Sequence, residues 1–285
     1  MSTGTWTIRD VLEWATQDFS ARGIESARLD AELLVANALG IERIGLYLDL
    51  NRPLQEEERS AIRPLLMRRR KREPVAYILG RRDFYGRRFE VTPDVLIPRP
   101  DTETLVEHAL AQIPSGAPSR VLDVGTGSGA IAVTLAAERP AAMITATDIS
   151  EAALEVAKRN AVAHGVAERI VFEHVDLLSI AEPYDIIVSN PPYIASAELA
   201  ELEDEVRVHE PRTALEAGED GLDVVRRLLD TAKPATDVGA HMLVEIGAGQ
   251  APLVADLAAR TGGWHRVGVY PDLNRIERVV HLRRI

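Results

Sequence analysis

Apolar and polar positions follow a repeating strand-then-helix pattern from Ser119 onward. Short apolar runs rich in β-branched residues predict strands, and apolar positions three and four residues apart predict helices. The predicted strands are 120–124, 143–148, 170–175, 184–189, 241–246, 264–270 and 277–282. The predicted helices are 130–138, 151–164, 221–233 and 251–260. This order predicts an α/β domain with a mostly parallel seven-stranded sheet, helices on both faces and an antiparallel edge hairpin.

The first part of the chain shows only the helical pattern. Apolar positions at helical spacing follow Thr7, stop at Gly40 and resume further along. Residues 76–100 change to short apolar runs broken by Gly and Pro, which predicts a β-hairpin. We therefore expect a helical recognition domain over 1–75, a hairpin linker over 76–100 and the α/β domain over 101–285.

Composition narrows the class of protein. The 285 residues are 46% hydrophobic and 27% charged and contain no cysteine, which excludes disulfides and thiolate metal sites. Scattered histidines predict no bound metal. No apolar run is long enough to cross a bilayer, and the absence of cysteine fits the cytosol, so we expect a cytoplasmic protein without membrane contact. Residues 1–100 carry 17 Lys and Arg against 15 Asp and Glu, whereas residues 101–285 carry 16 against 29. An α/β domain with a net charge of −13 argues against non-specific binding to nucleic acid.

A basic run covers residues 68–72, at the end of a predicted helix. Cations at a helix C-terminus offset the helix dipole, and this is the reading we favour. A patch that faces an acidic partner is the alternative that the sequence leaves open.

A glycine-rich loop follows the first strand of the α/β domain and begins a helix. Gly125, Gly127 and Ala130 satisfy the dinucleotide-binding pattern, and Asp148 ends the next strand, where an acid binds ribose hydroxyls. These residues fit either a nicotinamide dinucleotide or S-adenosyl-L-methionine. A third glycine at Gly129 and the pair Asp176-Leu177, at the end of the third strand where adenine would lie, favour S-adenosyl-L-methionine.

The tetrapeptide Asn190-Pro-Pro-Tyr193 ends the fourth strand, at the sheet edge where such folds bind ligands. The two prolines fix two φ angles and remove two N–H donors, so the loop is stiff and exposes carbonyl groups. The Asn190 side-chain oxygen and the Pro191 carbonyl can each accept one proton of a planar NH2 group, and Tyr193 can stack on its plane. Pro192 would keep the loop rigid. The substrate is then an amide side chain or the exocyclic amine of a nucleobase.

Together these motifs resemble one family, the bacterial peptide chain release factor N5-glutamine methyltransferases. The matching segments cover nearly the whole chain: Asp123-Val-Gly-Thr-Gly-Ser-Gly129, Asp148, Asn190-Pro-Pro-Tyr193, Val95-Leu-Ile-Pro-Arg-Pro-Asp-Thr-Glu103, Glu73-Pro-Val-Ala-Tyr-Ile-Leu-Gly80 and Asp272-Leu-Asn-Arg-Ile-Glu-Arg-Val279. The resemblance implies a Rossmann-like class I S-adenosylmethionine-dependent methyltransferase with a small helical N-terminal domain. Its substrate would be the glutamine of the Gly-Gly-Gln motif in class I release factors. We expect the protein to be a monomer.

By position, the resemblance assigns the cofactor and the substrate to specific residues. Asn190 would touch both cofactor and substrate. The position of Leu177 is often aromatic in relatives, so here an aliphatic side chain would pack the adenine. The residues that would hold the cofactor are Gly125, Thr126, Gly127, Ser128, Gly129, Asp148, Asp176, Leu177 and Asn190.

Three alternatives remain on the sequence alone. A DNA or RNA amine methyltransferase would share the Asn-Pro-Pro-Tyr loop but would need a basic groove and a base-flipping pocket. A non-catalytic cofactor-binding module would have no need of that loop. A nicotinamide oxidoreductase would share the glycine loop and would be identified by the cofactor that raises its melting temperature.

Overall fold

The computed structural model describes residues 6–179 and 183–285, so the first five residues of the expected helical domain lie outside it. The helices are α1 (Ile8–Ala21), α2 (Ala27–Leu39), α3 (Arg43–Leu48), α4 (Glu56–Arg69), α5 (Val75–Leu79), α6 (Thr102–Gln112), α7 (Ala130–Glu138), α8 (Glu151–Ala163), α9 (Asp204–His209), α10 (Asp223–Thr231) and α11 (Ala251–Thr261). The strands are β1 (Arg81–Phe84), β2 (Arg87–Glu90), β3 (Ser119–Val124), β4 (Ala142–Asp148), β5 (Ile170–His174), β6 (Tyr184–Ser189), β7 (Thr236–Glu245), β8 (Trp264–Pro271) and β9 (Glu277–Arg284).

The chain divides into two compact units. The first contains the described residues up to Gly80 together with Glu203–His209, and the second contains Arg81–Leu202 and Glu210–Ile285. The hairpin β1–β2 belongs to the second unit, because Phe84 and Phe89 are buried in the core that covers one face of its sheet. No helix in the described part of the chain is long and apolar enough to cross a membrane.

The first unit is helical, as the sequence pattern predicts. Thr7 caps α1 by accepting a hydrogen bond from the backbone N–H of Asp10, whose carboxylate in turn accepts from the Thr7 backbone. Gly40 ends α2 with a φ of +65°, a conformation that glycine adopts without strain. The core of this unit is apolar and includes Ile8, Phe19, Leu34 and Leu46.

The basic run at the end of α4 is engaged within the first unit. Arg69 is only 1% exposed and donates to Asp30 and to Glu205, each at 2.7 Å. Arg70 pairs with Asp18 at 2.8 Å, and Arg68 with Glu73. These arginines therefore serve internal ion pairs, and through Glu205 one of them holds α9 on the helical bundle.

Seven strands of the second unit form one sheet within the described residues, in the order β5-β4-β3-β6-β7-β9-β8. Strands β5, β4, β3, β6 and β7, which are neighbours in that order, are all parallel to one another. Strand β9 runs antiparallel to both of its neighbours, β7 and β8. The predicted mostly parallel sheet with its antiparallel edge hairpin is confirmed. In the register of β3, Val124 lies opposite both Thr147 and Ser189. The residues that follow β3, β4 and β6 therefore meet at one edge of the sheet.

Helices cover both faces of this sheet, as predicted. Val121 of β3 packs into one apolar core and its neighbour Leu122 into the other, as the two-residue period of a strand requires. The structure adds α6, a helix that the sequence pattern did not identify. It begins at Thr102, two residues after Pro100, and the Thr102 hydroxyl accepts a hydrogen bond from Asn190.

Candidate active site

A cleft of about 570 Å³ lies at the carboxyl edge of the sheet, and its lining residues all belong to the second unit. Most of the residues that the sequence assigned to a site line this cleft: Gly125, Thr126, Gly127, Ser128, Asp148, Asp176, Leu177, Asn190, Pro191 and Pro192. Gly129 and Tyr193 lie outside the lining. The parallel sheet thus brings the glycine loop and the Asn-Pro-Pro segment to one cavity.

The glycine loop is shaped by backbone conformations with positive φ. The φ angles of Gly125, Gly127 and Gly129 are +72°, +54° and +78°. The Gly127 N–H donates to the Asp148 carboxylate at 2.8 Å, which ties the loop to the end of β4. A Cβ on Gly129 would lie 3.0 Å from the Cβ of Ala157, so this glycine permits close packing of the loop on α8.

Asp148 can still bind a ligand, although both its carboxylate oxygens already accept hydrogen bonds. One accepts from Gly127 and the other from the Ser150 backbone at 2.9 Å, and each oxygen keeps a further lone pair. Burial raises the pKa of Asp148, and these backbone donors oppose the rise. The carboxylate is therefore held in place by the backbone, with acceptor capacity left at the wall of the cleft.

Asp123 is a buried carboxyl group behind the glycine loop that the sequence analysis did not count as a site residue. One oxygen accepts from the Thr126 hydroxyl at 2.6 Å and from the Ala132 backbone at 3.1 Å. The other oxygen is buried and has no hydrogen-bond partner among the described residues. Burial raises the pKa of Asp123 to about 7. Asp123 could have been identified from the sequence, because it is the first residue of the motif Asp-x-Gly-x-Gly-x-Gly.

Asp176 and Leu177 follow β5 on another wall of the cleft. Leu177 has a φ of +68°, is buried, and accepts a hydrogen bond from the Thr147 hydroxyl through its carbonyl oxygen. The Asp176 carboxylate forms an exposed ion pair with Arg227 at 2.6 Å. Leu177 thus offers apolar surface, whereas Asp176 is partly engaged by a cation that also lines the cleft.

The Asn-Pro-Pro-Tyr loop is anchored at both ends. Before it, the Ser189 hydroxyl donates to the Val124 carbonyl at 2.8 Å. At its last residue, the Gln250 side chain donates to the Tyr193 carbonyl at 2.9 Å. Between these anchors the Asn190 amide group donates from Nδ2 to the Thr102 hydroxyl at 3.2 Å. The loop is held by contacts from three other parts of the chain.

The Tyr193 ring is not part of the cleft lining and lies beside Gly247. Its edge is so close to Gly247 that a Cβ there would lie 3.2 Å from Tyr193 Cδ2. Burial raises the pKa of the Tyr193 hydroxyl, and the nearby Glu245 raises it further. The expected stacking of Tyr193 on a substrate amide therefore stays a prediction.

Sequence reasoning also missed the residues that support the loop and the segment before α6. Arg99 lines the cleft and pairs with Glu210, a buried carboxylate that also accepts from the Ile97 backbone at 3.3 Å. Thr102, which accepts from Asn190, is buried, and so is Glu245 at the end of β7. Arg99 and Thr102 fall within the segment 95–103, which the family resemblance includes. The sequence therefore pointed to this segment but not to the hydrogen bonds that these two side chains form.

Comparison with known proteins agrees with this arrangement. Residues 10–80 match the family described as PrmC N-terminal domain, and residues 100–233 match the methyltransferase small domain. The T. thermophilus 16S rRNA N2 G1207 methyltransferase, solved in complex with AdoMet and guanosine, aligns with a TM-score of 0.51 and 19% identity. The alignment covers 72% of this chain and 50% of that one, and this likeness shows the methyltransferase fold.

Similarity to curated proteins extends over nearly the full length. A release factor glutamine methyltransferase from Geobacter sulfurreducens is 46% identical over 280 residues, which are 96% of either chain. Another, from Cereibacter sphaeroides, is 47% identical over 275 residues, which are 96% of this chain and 97% of that protein. Both the helical unit and the α/β unit are included in these alignments. The chain therefore belongs to the release factor glutamine methyltransferase family.

Proposed function

We propose that this protein uses S-adenosyl-L-methionine to methylate the side-chain amide nitrogen (N5) of the glutamine in the Gly-Gly-Gln motif of class I peptide chain release factors. One observation carries the proposal: the cleft is lined both by the glycine loop and by the Asn-Pro-Pro segment. The first suits a nucleoside cofactor and the second a planar NH2 group. The near full-length similarity to release factor glutamine methyltransferases selects glutamine over a nucleobase.

The residues present fit this cofactor. The cleft volume of about 570 Å³ lies within the range of small-molecule sites. Asp148 would hold the ribose hydroxyls, the loop 125–129 would face the amino acid portion and Leu177 would pack on the adenine. The unpartnered oxygen of Asp123 leaves a buried hydrogen-bond acceptor directly behind this loop. When bound, S-adenosyl-L-methionine supplies an electrophilic sulfonium methyl group.

The protein's own residues act on the substrate amide. An amide nitrogen is a weak nucleophile because its lone pair is delocalised into the carbonyl, so its position and orientation dominate the rate. Asn190 Oδ1 and the Pro191 carbonyl would each accept one amide proton and aim the nitrogen at the methyl group. Positive charge develops on the nitrogen as the new bond forms, so these two hydrogen bonds strengthen in the transition state. A proton leaves the nitrogen after methyl transfer, so no general base has to act first.

Mass spectrometry of a purified class I release factor tests the proposal. The factor is incubated with the protein and S-adenosyl-L-methionine, with duplex DNA as a parallel substrate. One added methyl group on the Gly-Gly-Gln glutamine, and none on DNA, is the expected result. Methylated adenine would move the function to nucleic acid, and transfer to neither substrate would contradict the proposal.

Asn190→Ala separates the loop's chemistry from its role in the fold. The variant should lower kcat by about 10²- to 10³-fold, since it removes one acceptor aimed at the developing charge. Its melting temperature should remain near that of the wild type, and its affinity for the cofactor, measured calorimetrically, should fall far less than kcat. A variant that kept normal turnover would refute the role given to Asn190.

A further inference from the structure

The turn between β8 and β9 belongs to the segment 272–279, which the family resemblance includes and the mechanism above does not use. Two of its apolar side chains face solvent: Leu273 is fully exposed and Ile276 is also exposed. A single exposed leucine is common on protein surfaces, so exposure alone indicates little. The rigidity of this turn and its position on the sheet distinguish Leu273 from an ordinary surface leucine.

The Asp272 carboxylate fixes the turn from within. It is buried, and its Oδ1 atom accepts from the backbone N–H groups of Asn274 at 2.8 Å and Ile276 at 3.0 Å. Its Oδ2 atom accepts from the guanidinium of Arg278 at 3.0 Å. Within the turn, Arg275 has a φ of +65°, a conformation that residues other than glycine rarely adopt. The turn therefore presents its apolar side chains from a backbone that is held in one conformation.

The turn lies at the edge of the sheet that carries the Asn-Pro-Pro-Tyr loop. Strand β9 is antiparallel to β7, so its first residues lie beside the end of β7, where the Ile246 N–H donates to the Arg278 carbonyl at 2.8 Å. Arg278 also pairs with Asp101 at 3.4 Å. The residue after Asp101 is Thr102, which accepts the hydrogen bond from Asn190. The turn is thus joined to the same support that holds the loop.

The distance from Asn190 to this turn matches the size of a protein–protein interface. Strand β9 lies two strands away from β6 in the sheet, which is a lateral separation of ~10 Å. An ordinary interface buries about 800 Å² on each partner, which corresponds to a patch of roughly 16 Å radius. A patch of that size centred on Asn190 reaches the start of β9 and the turn before it. A folded substrate seated over the cleft therefore meets this turn, whereas a lone glutamine side chain does not.

We propose that the β8–β9 turn is a docking site for the protein substrate, where Leu273 and Ile276 bind an apolar patch of the release factor beside its Gly-Gly-Gln motif. The proposal rests on the function proposed above, because only a folded protein substrate extends from the cleft to this turn. A turn that is already rigid loses little conformational freedom when it binds, so its contacts favour affinity. The turn thereby selects the whole release factor over a short peptide with the same glutamine.

Leu273→Ser removes the exposed apolar side chain without disturbing the core, and Leu273→Met keeps an apolar side chain of similar size. Burial of one leucine side chain changes affinity by about 10-fold or more, so we expect Leu273→Ser to raise KM for the release factor by about 10-fold. Its kcat at saturating release factor, and its affinity for S-adenosyl-L-methionine in calorimetry, should stay near those of the wild type. Leu273→Met should keep KM within about threefold of the wild type.

Val162→Ser is the control for loss of an exposed apolar side chain elsewhere. Val162 is exposed and lies near the end of α8, whereas Ala153 at the start of that helix lines the cleft. The two positions are separated by ~14 Å along the helix, so Val162→Ser should leave KM unchanged. An equal rise of KM in Val162→Ser and Leu273→Ser would contradict a specific role of the turn.

Calorimetric titration of the release factor into each variant tests the same contact without methyl transfer. Leu273→Ser should weaken binding of the factor by about 10-fold, and wild-type affinity together with wild-type KM would overturn the inference. Sedimentation tests the other occupant of an exposed leucine, a second copy of this chain. A wild-type dimer that Leu273→Ser converts to a monomer, with unchanged KM, would also overturn it. Failure of the wild type to methylate a release factor that it binds would instead refute the proposed function, and the titration would still decide the role of the turn.

Discussion

Gly221 lies directly behind the Asn-Pro-Pro-Tyr loop and offers a sharp test of how strictly that loop must be placed. A Cβ at this position would lie 2.4 Å from the Tyr193 carbonyl oxygen and 2.9 Å from the Gln250 side-chain nitrogen. Gly221 is also buried and has a φ of +74°. Alanine at this position would therefore be strained and would also press on the anchor of the loop.

The structure sets the size of both effects. A left-handed backbone costs a non-glycine residue roughly 1–2 kcal/mol. Contacts of a Cβ under 3.0 Å are essentially never tolerated, so the Tyr193 carbonyl must retreat by about 0.6 Å or more. Because a displacement of ~1 Å at a reacting centre costs roughly 10²-fold in rate, we expect Gly221→Ala to lower kcat about 10- to 100-fold.

Gly165→Ala is the matched control for backbone strain. Its φ is +68°, and nothing lies within 4 Å of the added Cβ. Both variants should lower the melting temperature by roughly 2–8 °C, but only Gly221→Ala should lower kcat in the methyl-transfer assay. If Gly221→Ala kept wild-type kcat, or if Gly165→Ala lost as much, the placement argument for the loop would fail.

Three further substitutions test other parts of the structure. Arg69→Met should destabilise the protein to urea by about 3–5 kcal/mol, because Asp30 loses its buried cation; a loss below about 1 kcal/mol would contradict this. Gly129→Ala should weaken cofactor binding roughly 10-fold in calorimetry, since the new Cβ would lie 3.0 Å from that of Ala157, and an unchanged affinity would show that the loop can shift freely. Glu245 has a folded-state pKa raised to about 7 from 4.5, so the wild type loses stability as the pH rises through that interval. Glu245→Gln avoids this loss, and its stability relative to the wild type should improve by up to about 3 kcal/mol between pH 4 and pH 8 in urea titrations; an equal difference at both pH values would refute the assignment.

The sequence pattern predicted the architecture of the α/β unit well, because strand and helix periods are local properties. Strand ends moved by a few residues: β7 begins at Thr236 rather than at residue 241, and β5 ends at His174. The helix α6 was not predicted, although it supplies Thr102 to the site. The segment Glu203–His209 also joins the helical unit, which its position in the chain gave no reason to expect.

The sequence by itself determined most of the strands and helices along the α/β unit, the glycines that permit positive φ, and the stiff carbonyl-rich loop at the end of β6. Each of these depends on the chemistry of a few adjacent residues. The tertiary structure decided which distant side chains meet: Thr102, at the start of α6, lies 88 positions away from Asn190 in the chain and accepts a hydrogen bond from its amide group. The periodicity of the sequence shows which face of a strand or helix a side chain occupies. The order and register of the strands in the sheet determine which side chain lies next to it. The hydrogen-bond partner of the Asn190 amide group, the Thr102 hydroxyl, is therefore one that local sequence could not identify.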